Sequence, residues 1–174
     1  MALPPLRMMA TTGLLGYGYS EEAFRRGISL DLDFIAADGG SMDPGPHYLG
    51  VGEPFVTRTA IKRDLSFMLT AAIENGIPLL VGSCGGGGSN PQLYIVRDIV
   101  LERAAEHGLS FKLACSRAEP GADVLRERIA VGKVEPLGPI KPLTTETVEG
   151  SARIVAMMGV EPFQSALAAG AQVV

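Results

Sequence analysis

Residues able to do chemistry are concentrated in three glycine-rich stretches. "VGSCGGGGSNP", beginning at Val81, holds a thiol at Cys84, hydroxyls at Ser83 and Ser89, and four consecutive glycines, Gly85, Gly86, Gly87 and Gly88. Glycine loses more backbone freedom on folding than any other residue, so four in a row must serve a special conformation or a close approach. The stretch follows the apolar run "IPLLV" and leads into "NPQLYIVRDIV", where Asn90 can cap a helix and Pro91 suits its first turn. Open parallel sheets bind ligands between the carboxyl ends of their strands and the following helices. Unblocked N–H groups there, aided by the helix dipole, can point at an anion, and the absent side chains let phosphate or carboxylate come close. Ser83, Gly85, Gly86, Gly87, Gly88, Ser89 and Asn90 are therefore candidate anion-binding residues. The stretch is neither a Walker loop, since no Lys-Ser/Thr follows, nor a dinucleotide fingerprint in its usual setting. A glycine-rich lid or mobile loop without a ligand is the plainer reading of the same residues.

The second stretch, "AADGGSMDPGPHYLG", ends an apolar run with Asp38 and continues through Ser41 and Asp43 to His47 and Tyr48. Long loops of this kind tend to carry function. Asp38 can bind metal, act as a base, or form an Asx-turn with Gly39 and Gly40. His47 is a better acid/base candidate than His107, because "AEHG" puts His107 in the last turn of a helix, where a cation is favoured for structural reasons alone. The third stretch, "TTGLLGYGYS", adds Thr12 and Gly13 near the amino terminus. Asp38, His47 and Cys84 are the candidate catalytic groups; Thr12, Gly13, Ser41, Asp43 and Tyr48 are candidate substrate contacts. No metal-ligand set stands out.

Cys84 and Cys115 each end a predicted strand. Two thiols at neighbouring strand ends are what a two-base racemase needs, one thiolate removing a proton and the other thiol returning it. Buried cysteine is also a common small apolar filler, and the alternation "FKLA" before Cys115 predicts that it points into the core beneath a helix.

The elements that must position these residues follow from periodicity. Residues 33–38, 77–81 and 109–115 are short apolar runs that read as buried strands, and "LRMMATT" is a weaker first strand. "TRTAIKRDLSFMLTAAIENG" places Ile61, Leu65, Met68, Leu69 and Ala72 on one stripe and stops at Gly76, as a helix does. "NPQLYIVRDIVLERAAEHG" reads as a second long helix ended by Gly108, and "SEEAFRRG" as a short first one. "GADVLRERIAVG", "TETVEGSARIVAMMG" and "EPFQSALAAG" look helical, joined by the loop "VEPLGPIKPL". Strands alternating with helices predict a mostly parallel sheet with helices on both faces, open and Rossmann-like, because parallel neighbours need long crossovers.

The chain has 174 residues, 47% of them apolar and 20% charged, which suits a single α/β domain over 1–174. A net charge of -4 without a basic stripe argues against nucleic acid as a partner. No apolar run is long enough to cross a bilayer, and "MALPPLRMMATTG" lacks the continuous apolar core of a signal peptide, so a cytoplasmic protein is expected. Two cysteines are too few for a disulfide framework. "SALAAGAQVV" reads as a helix, a stop and the first residues of a new buried strand, which predicts the amino-terminal part of a longer architecture.

"TGLLGYGYSEEAF", "DFIAADGGSMDPGPHYLG", "RTAIKRDL" and "IPLLVGSCGGGGSNP", in that order and spacing, resemble the amino-terminal part of the acyclic terpene utilisation (AtuA-like) family. The resemblance covers nearly the whole chain. It implies a setting in the degradation of branched acyl-CoA or organic acids, often beside a small partner protein, and brings no assigned catalytic residues with it. The combined expectation is an enzyme or enzyme subunit of lyase, hydratase or isomerase type, acting on a small carboxylate or its thioester, since no redox-cofactor fingerprint is present. Coenzyme A would enter as part of the substrate. The expected partners are a small anionic metabolite and a small partner subunit, within an oligomer. A non-catalytic ligand-binding or assembly subunit and the two-cysteine racemase are the alternatives.

Overall fold

A computed structural model describes residues 4–174; positions 1–3 of the stretch read for a leader lie outside them. The fold is mixed α/β. Strands β1 (Met8–Ala10), β2 (Phe34–Asp38) and β3 (Leu79–Gly82) form a parallel sheet in that order, with Met8 opposite Phe34, Ile35 opposite Leu79 and Asp38 opposite Gly82. In β2 and β3 every second residue is buried, Ile35 and Ala37 then Leu79 and Val81, as the pleat requires.

The helices obey local rules. In α1 (Glu21–Ile28), the Ser20 hydroxyl accepts from the Ala23 N–H. In α3 (Arg58–Glu74), Thr57 does the same for Ala60, and Ile61, Leu65, Met68, Leu69 and Ala72 are buried on the predicted stripe. α4 (Asn90–His107) is capped by Ser89 and not, as expected, by Asn90, because Ser89 keeps an extended backbone and shares a capping box with Gln92; the helix closes at Gly108, whose φ of +63° is left-handed, as a helix-ending glycine should be. α3 packs along α4, and Phe24 of α1 meets Phe67 of α3 with ring centroids 6.2 Å apart. A short helix α2 (His47–Val51) forms inside the loop after β2, where no helix was expected.

The carboxyl-terminal third departs from expectation. Residues 109–115 do not form a full strand: only Leu113 pairs, with Val173. Val173 also pairs with Leu79, so residues 172–174 fill the slot between β3 and the 113 segment, with Val81 N donating to Val174 O and Ala114 N to Val173 O. Pairing at 113 ends because it extends only as far as these few partners. α5 (Ala122–Ala130) and α7 (Glu161–Ala168) bury no residue among those described, and α6 (Thr145–Gly150) buries Val148 alone. The helix expected to run on through residues 151–158 stops at Gly150, because the chain turns extended at Ser151 and the Ala156 amide pairs with the Ala118 carbonyl at 2.8 Å.

One buried charge fixes the first strand-end loop. The Asp64 carboxylate, 2% exposed, accepts from Gly16 N at 2.8 Å, Gly18 N at 3.0 Å and Arg63 Nε at 2.8 Å. Buried carboxylates persist only when paired and hydrogen-bonded in this way. Burial, with the Asp64 charge nearby, pushes the Tyr19 phenol well above its usual range.

Candidate functional site

The loops after β1, β2 and β3 meet at one end of the sheet. Leu15 N donates to Asp38 O at 2.8 Å, and Gly39 N to Gly82 O at 2.6 Å. A Cβ on Gly39 would lie 2.3 Å from the Gly82 oxygen. One on Gly40, at φ +126°, would lie 2.8 Å from both Gly86 Cα and Leu14 Cδ1. Backbone touches backbone here, which is one reason the stretches are rich in glycine.

The glycine loop is largely bonded to itself and to its flanks. Gly86 N donates to Ser83 O at 2.8 Å and Gly88 N to Cys84 O at 3.1 Å. Ser83 adopts φ +50°, a left-handed conformation that costs a residue with a side chain on the order of 1 kcal/mol or more. Gln92, fully buried, organises the rest: its Oε1 accepts from Ser89 N at 3.1 Å and Ser89 Oγ at 2.9 Å, while its Nε2 donates to Glu53 O at 2.9 Å and Gly85 O at 3.1 Å. The amino terminus of α4 is already met by an internal carboxylate: Asn90 N donates to Glu119 Oε1 at 2.9 Å, and Arg153 Nη1 lies 3.3 Å from the same oxygen. Of the expected anion-binding amides, those of Gly86, Gly88, Ser89 and Asn90 thus donate within the chain. Those of Gly85 and Gly87 donate to nothing among the described residues.

A cavity of about 310 Å³ opens on the other side of this loop. Val81, Ser83, Cys84, Gly87 and Gly88 form one side, and Leu93, Val96, Arg97 and Val100 of α4 form another. Cys115, Ser116 and the 155–159 segment complete it, with Phe163 of α7 and the terminal Val173 and Val174. Both cysteines are free thiols. Burial pushes the Cys84 thiol up to about 12, with the charge of a Cys115 thiolate adding to the effect. Burial also raises the Cys115 thiol, opposed by the Arg97 guanidinium. Cys84, Cys115 and Arg97 all line this cavity. Cys115 does not point into the core as its apolar approach predicted; it is exposed and faces the cavity, because the chain leaves the sheet after Ala114.

The other expected residues lie on the loop crest and do not line this cavity. Asp38 is exposed, and its Oδ1 accepts from Gly40 N at 2.9 Å, the Asx-turn geometry. Ser41 Oγ donates to Asp43 Oδ2 at 2.7 Å, both exposed. Thr12 Oγ1 donates to Leu14 O at 3.0 Å, and Gly13 is exposed. His47 opens α2 in the open, its ring edge-on to Tyr48 at 5.3 Å, and Tyr48 is edge-on to Phe55 at the same distance. His107 contacts Arg103 in the last turn of α4.

Four residues of consequence escaped the sequence reading. Gln92 was findable, since Ser followed three residues later by Gln before an apolar run is a capping-box signature. Asp64 was half-visible as an acid beside the apolar stripe of α3. Arg97 and Glu119 carry no local signal. Among the described residues no group of three or more His, Cys, Asp or Glu side chains is placed to hold a metal ion. Comparison with known proteins finds no matching family model, no matching curated protein and no matching solved structure.

Proposed function

We propose that the chain binds a small anionic metabolite in the cavity between the glycine loop and α4, as an enzyme or enzyme subunit of organic-acid or acyl-thioester catabolism. One observation carries this reading: a largely apolar cavity at the carboxyl end of β3 whose lining includes two thiols, Cys84 and Cys115, and one cation, Arg97. Its volume falls at the lower end of the range for small-molecule sites, roughly 300–1,000 Å³. The reaction class is lyase, hydratase or isomerase chemistry, which needs proton transfer at a substrate carbon. The architecture is read as an open Rossmann-like sheet with helices on both faces, of the AtuA-like kind. Such a protein works in an oligomer, beside a small partner subunit.

A second reading, the two-thiol racemase, is favoured by Cys84 and Cys115 lining the same cavity. A thiol beside Arg97 is the easier one to ionise, so Cys115 would take the proton and Cys84, held protonated by burial, would return one. The crest residues Asp38 and His47 serve the first reading if substrate reaches across the glycine loop.

Thermal melting with a panel of carboxylates and acyl-CoA compounds tests the site, since a ligand of the folded state must raise the melting temperature. Stabilisation should vanish in Ser116→Trp, which fills the cavity. Stabilisation that survives this change, or none in wild-type protein, overturns the reading. Solvent exchange at the α-carbon of a 2-substituted acid, lost in both Cys84→Ser and Cys115→Ser, would select the racemase.

A further inference from the structure

Within the cavity, charge and apolar surface are separated in a way that specifies the ligand further. Among the described residues Arg97 is the one cation on its walls. Asp98 Oδ1 accepts from both Arg97 Nε at 2.9 Å and Nη2 at 2.7 Å, and the guanidinium carbon sits 4.7 Å from the Tyr94 ring centroid. Both partners lie outside the cavity lining and the Arg97 side chain is 37% exposed, so the guanidinium sits at the cavity rim, with Nη1 donating to no described residue. A planar guanidinium with an uncommitted edge is the usual partner of a carboxylate. Away from Arg97 the walls are mostly apolar, with Leu93, Val96, Leu113 and Phe163 among them; Ser83, Cys84, Cys115 and Ser116 add hydroxyls and thiols, and no second cation lines the cavity among the described residues.

Resting on the binding reading above, we propose that this cavity takes a free aliphatic monocarboxylate, its carboxylate on Arg97 Nη1 and its chain among Leu93, Val96, Leu113 and Phe163. A volume of about 310 Å³ lies at the small end of small-molecule sites, which suits a short aliphatic chain. A dicarboxylate of the same length would bury its second charge against hydrocarbon, which is costly. At the acyl end a thioester or an amide offers Arg97 a neutral carbonyl in place of a carboxylate. Arg97 and Cys115 line the same cavity, so a carboxylate on Arg97 shares it with that thiol.

Isothermal titration with hexanoate, adipate, hexanamide and hexanoyl-CoA, on wild-type protein and on Arg97→Gln, Arg97→Lys and Ser116→Trp, tests the assignment. Hexanoate should bind wild type tightest of the four. Loss of one charge-assisted hydrogen bond should weaken it about tenfold to a hundredfold in Arg97→Gln, with partial recovery in Arg97→Lys. Melting of the ligand-free variants near the wild-type temperature confirms that they fold. If Arg97→Gln binds hexanoate as wild type does, or if hexanamide or hexanoyl-CoA binds as well as hexanoate, the carboxylate assignment fails. The broader reading stands in that case, provided Ser116→Trp abolishes binding. If hexanoate binds wild type not at all, this assignment fails while the broader reading is decided by the panel; if hexanoate binds Ser116→Trp unchanged, both fall.

Discussion

At the level of single residues, Gln92 does what the four glycines suggested a ligand might do. It is a buried amide with every polar atom engaged, and it ties Ser89, Gly85 and Glu53 together. Replacing it with Leu keeps the volume and strands those groups. Each stranded buried group costs about 1–3 kcal/mol, so Gln92→Leu should lose about 2–4 kcal/mol in urea unfolding. A loss below about 1 kcal/mol would mean that water replaces the amide. Cys84 makes a separate statement about pH. Its folded thiol is raised to about 12 from an ordinary 9, so above pH 9 the unfolded chain gives up a proton that the folded one keeps. Stability from this group is therefore present below pH 9 and falls as pH rises toward 12. Cys84→Ala should flatten that alkaline decline in a pH series of melting temperatures. In wild-type protein at pH 8 an alkylating reagent should modify the exposed Cys115 well before Cys84.

Among elements, the pairing of α3 with α4 organises the molecule. Their inner stripes are apolar, and their outer edges are clasped by Lys62 with Glu102 and Glu106, and by Arg58 with Glu102. The hydrogen bonds from Lys62 and Arg58 hold the Glu102 carboxyl down at about 2, below its ordinary 4.5. A group depressed in the folded state stabilises above its unfolded value and loses that contribution as pH falls through the folded one. Glu102→Gln should therefore cost little at pH 2 and more at pH 6, read as a melting difference that shrinks in 1 M salt, as exposed pairs do. Equal effects at both pH values would mean that the clasp is packing rather than charge. Glu119 at the start of α4 belongs to the same scale, because a carboxylate there complements the helix dipole and occupies the place where an external anion was expected.

Taken as a whole, the fold is closed by its last residues. Val173, 1% exposed, sits between Leu79 and Leu113 in space although the chain between 79 and 173 builds most of the helices. Val173→Asp would put an unpaired charge into that slot and should cost more than about 3 kcal/mol. The same change should remove the cavity, since Val173 is part of its lining. Near-wild-type stability would show that the terminal residues leave the slot readily. No helix is long and apolar enough to cross a membrane, among the described residues.

Local chemistry determined much of this protein in advance. The helix stop at Gly108, the stripe of α3 and the apolar runs of β2 and β3 follow from near-neighbour sterics and periodicity, so each was legible, while the cap of α4 was read one residue late, at Asn90 instead of Ser89. The crowding of glycine at the strand ends was legible too, although its use was not. Whether an amide meets a ligand, another loop or a side chain from far along the chain depends on what lies opposite. Gly39 opposite Gly82, Gly85 under Gln92 and Asn90 against Glu119 are pairings that only the tertiary fold supplies. The cavity is of the same kind. Cys84, Arg97, Cys115 and Val173 sit far apart in sequence without a shared period, and they meet because residues 172–174 pair with β3 and draw the 113 segment beside it. Sequence patterns record what each residue does to its neighbours, while a site records which distant surfaces burial forces together.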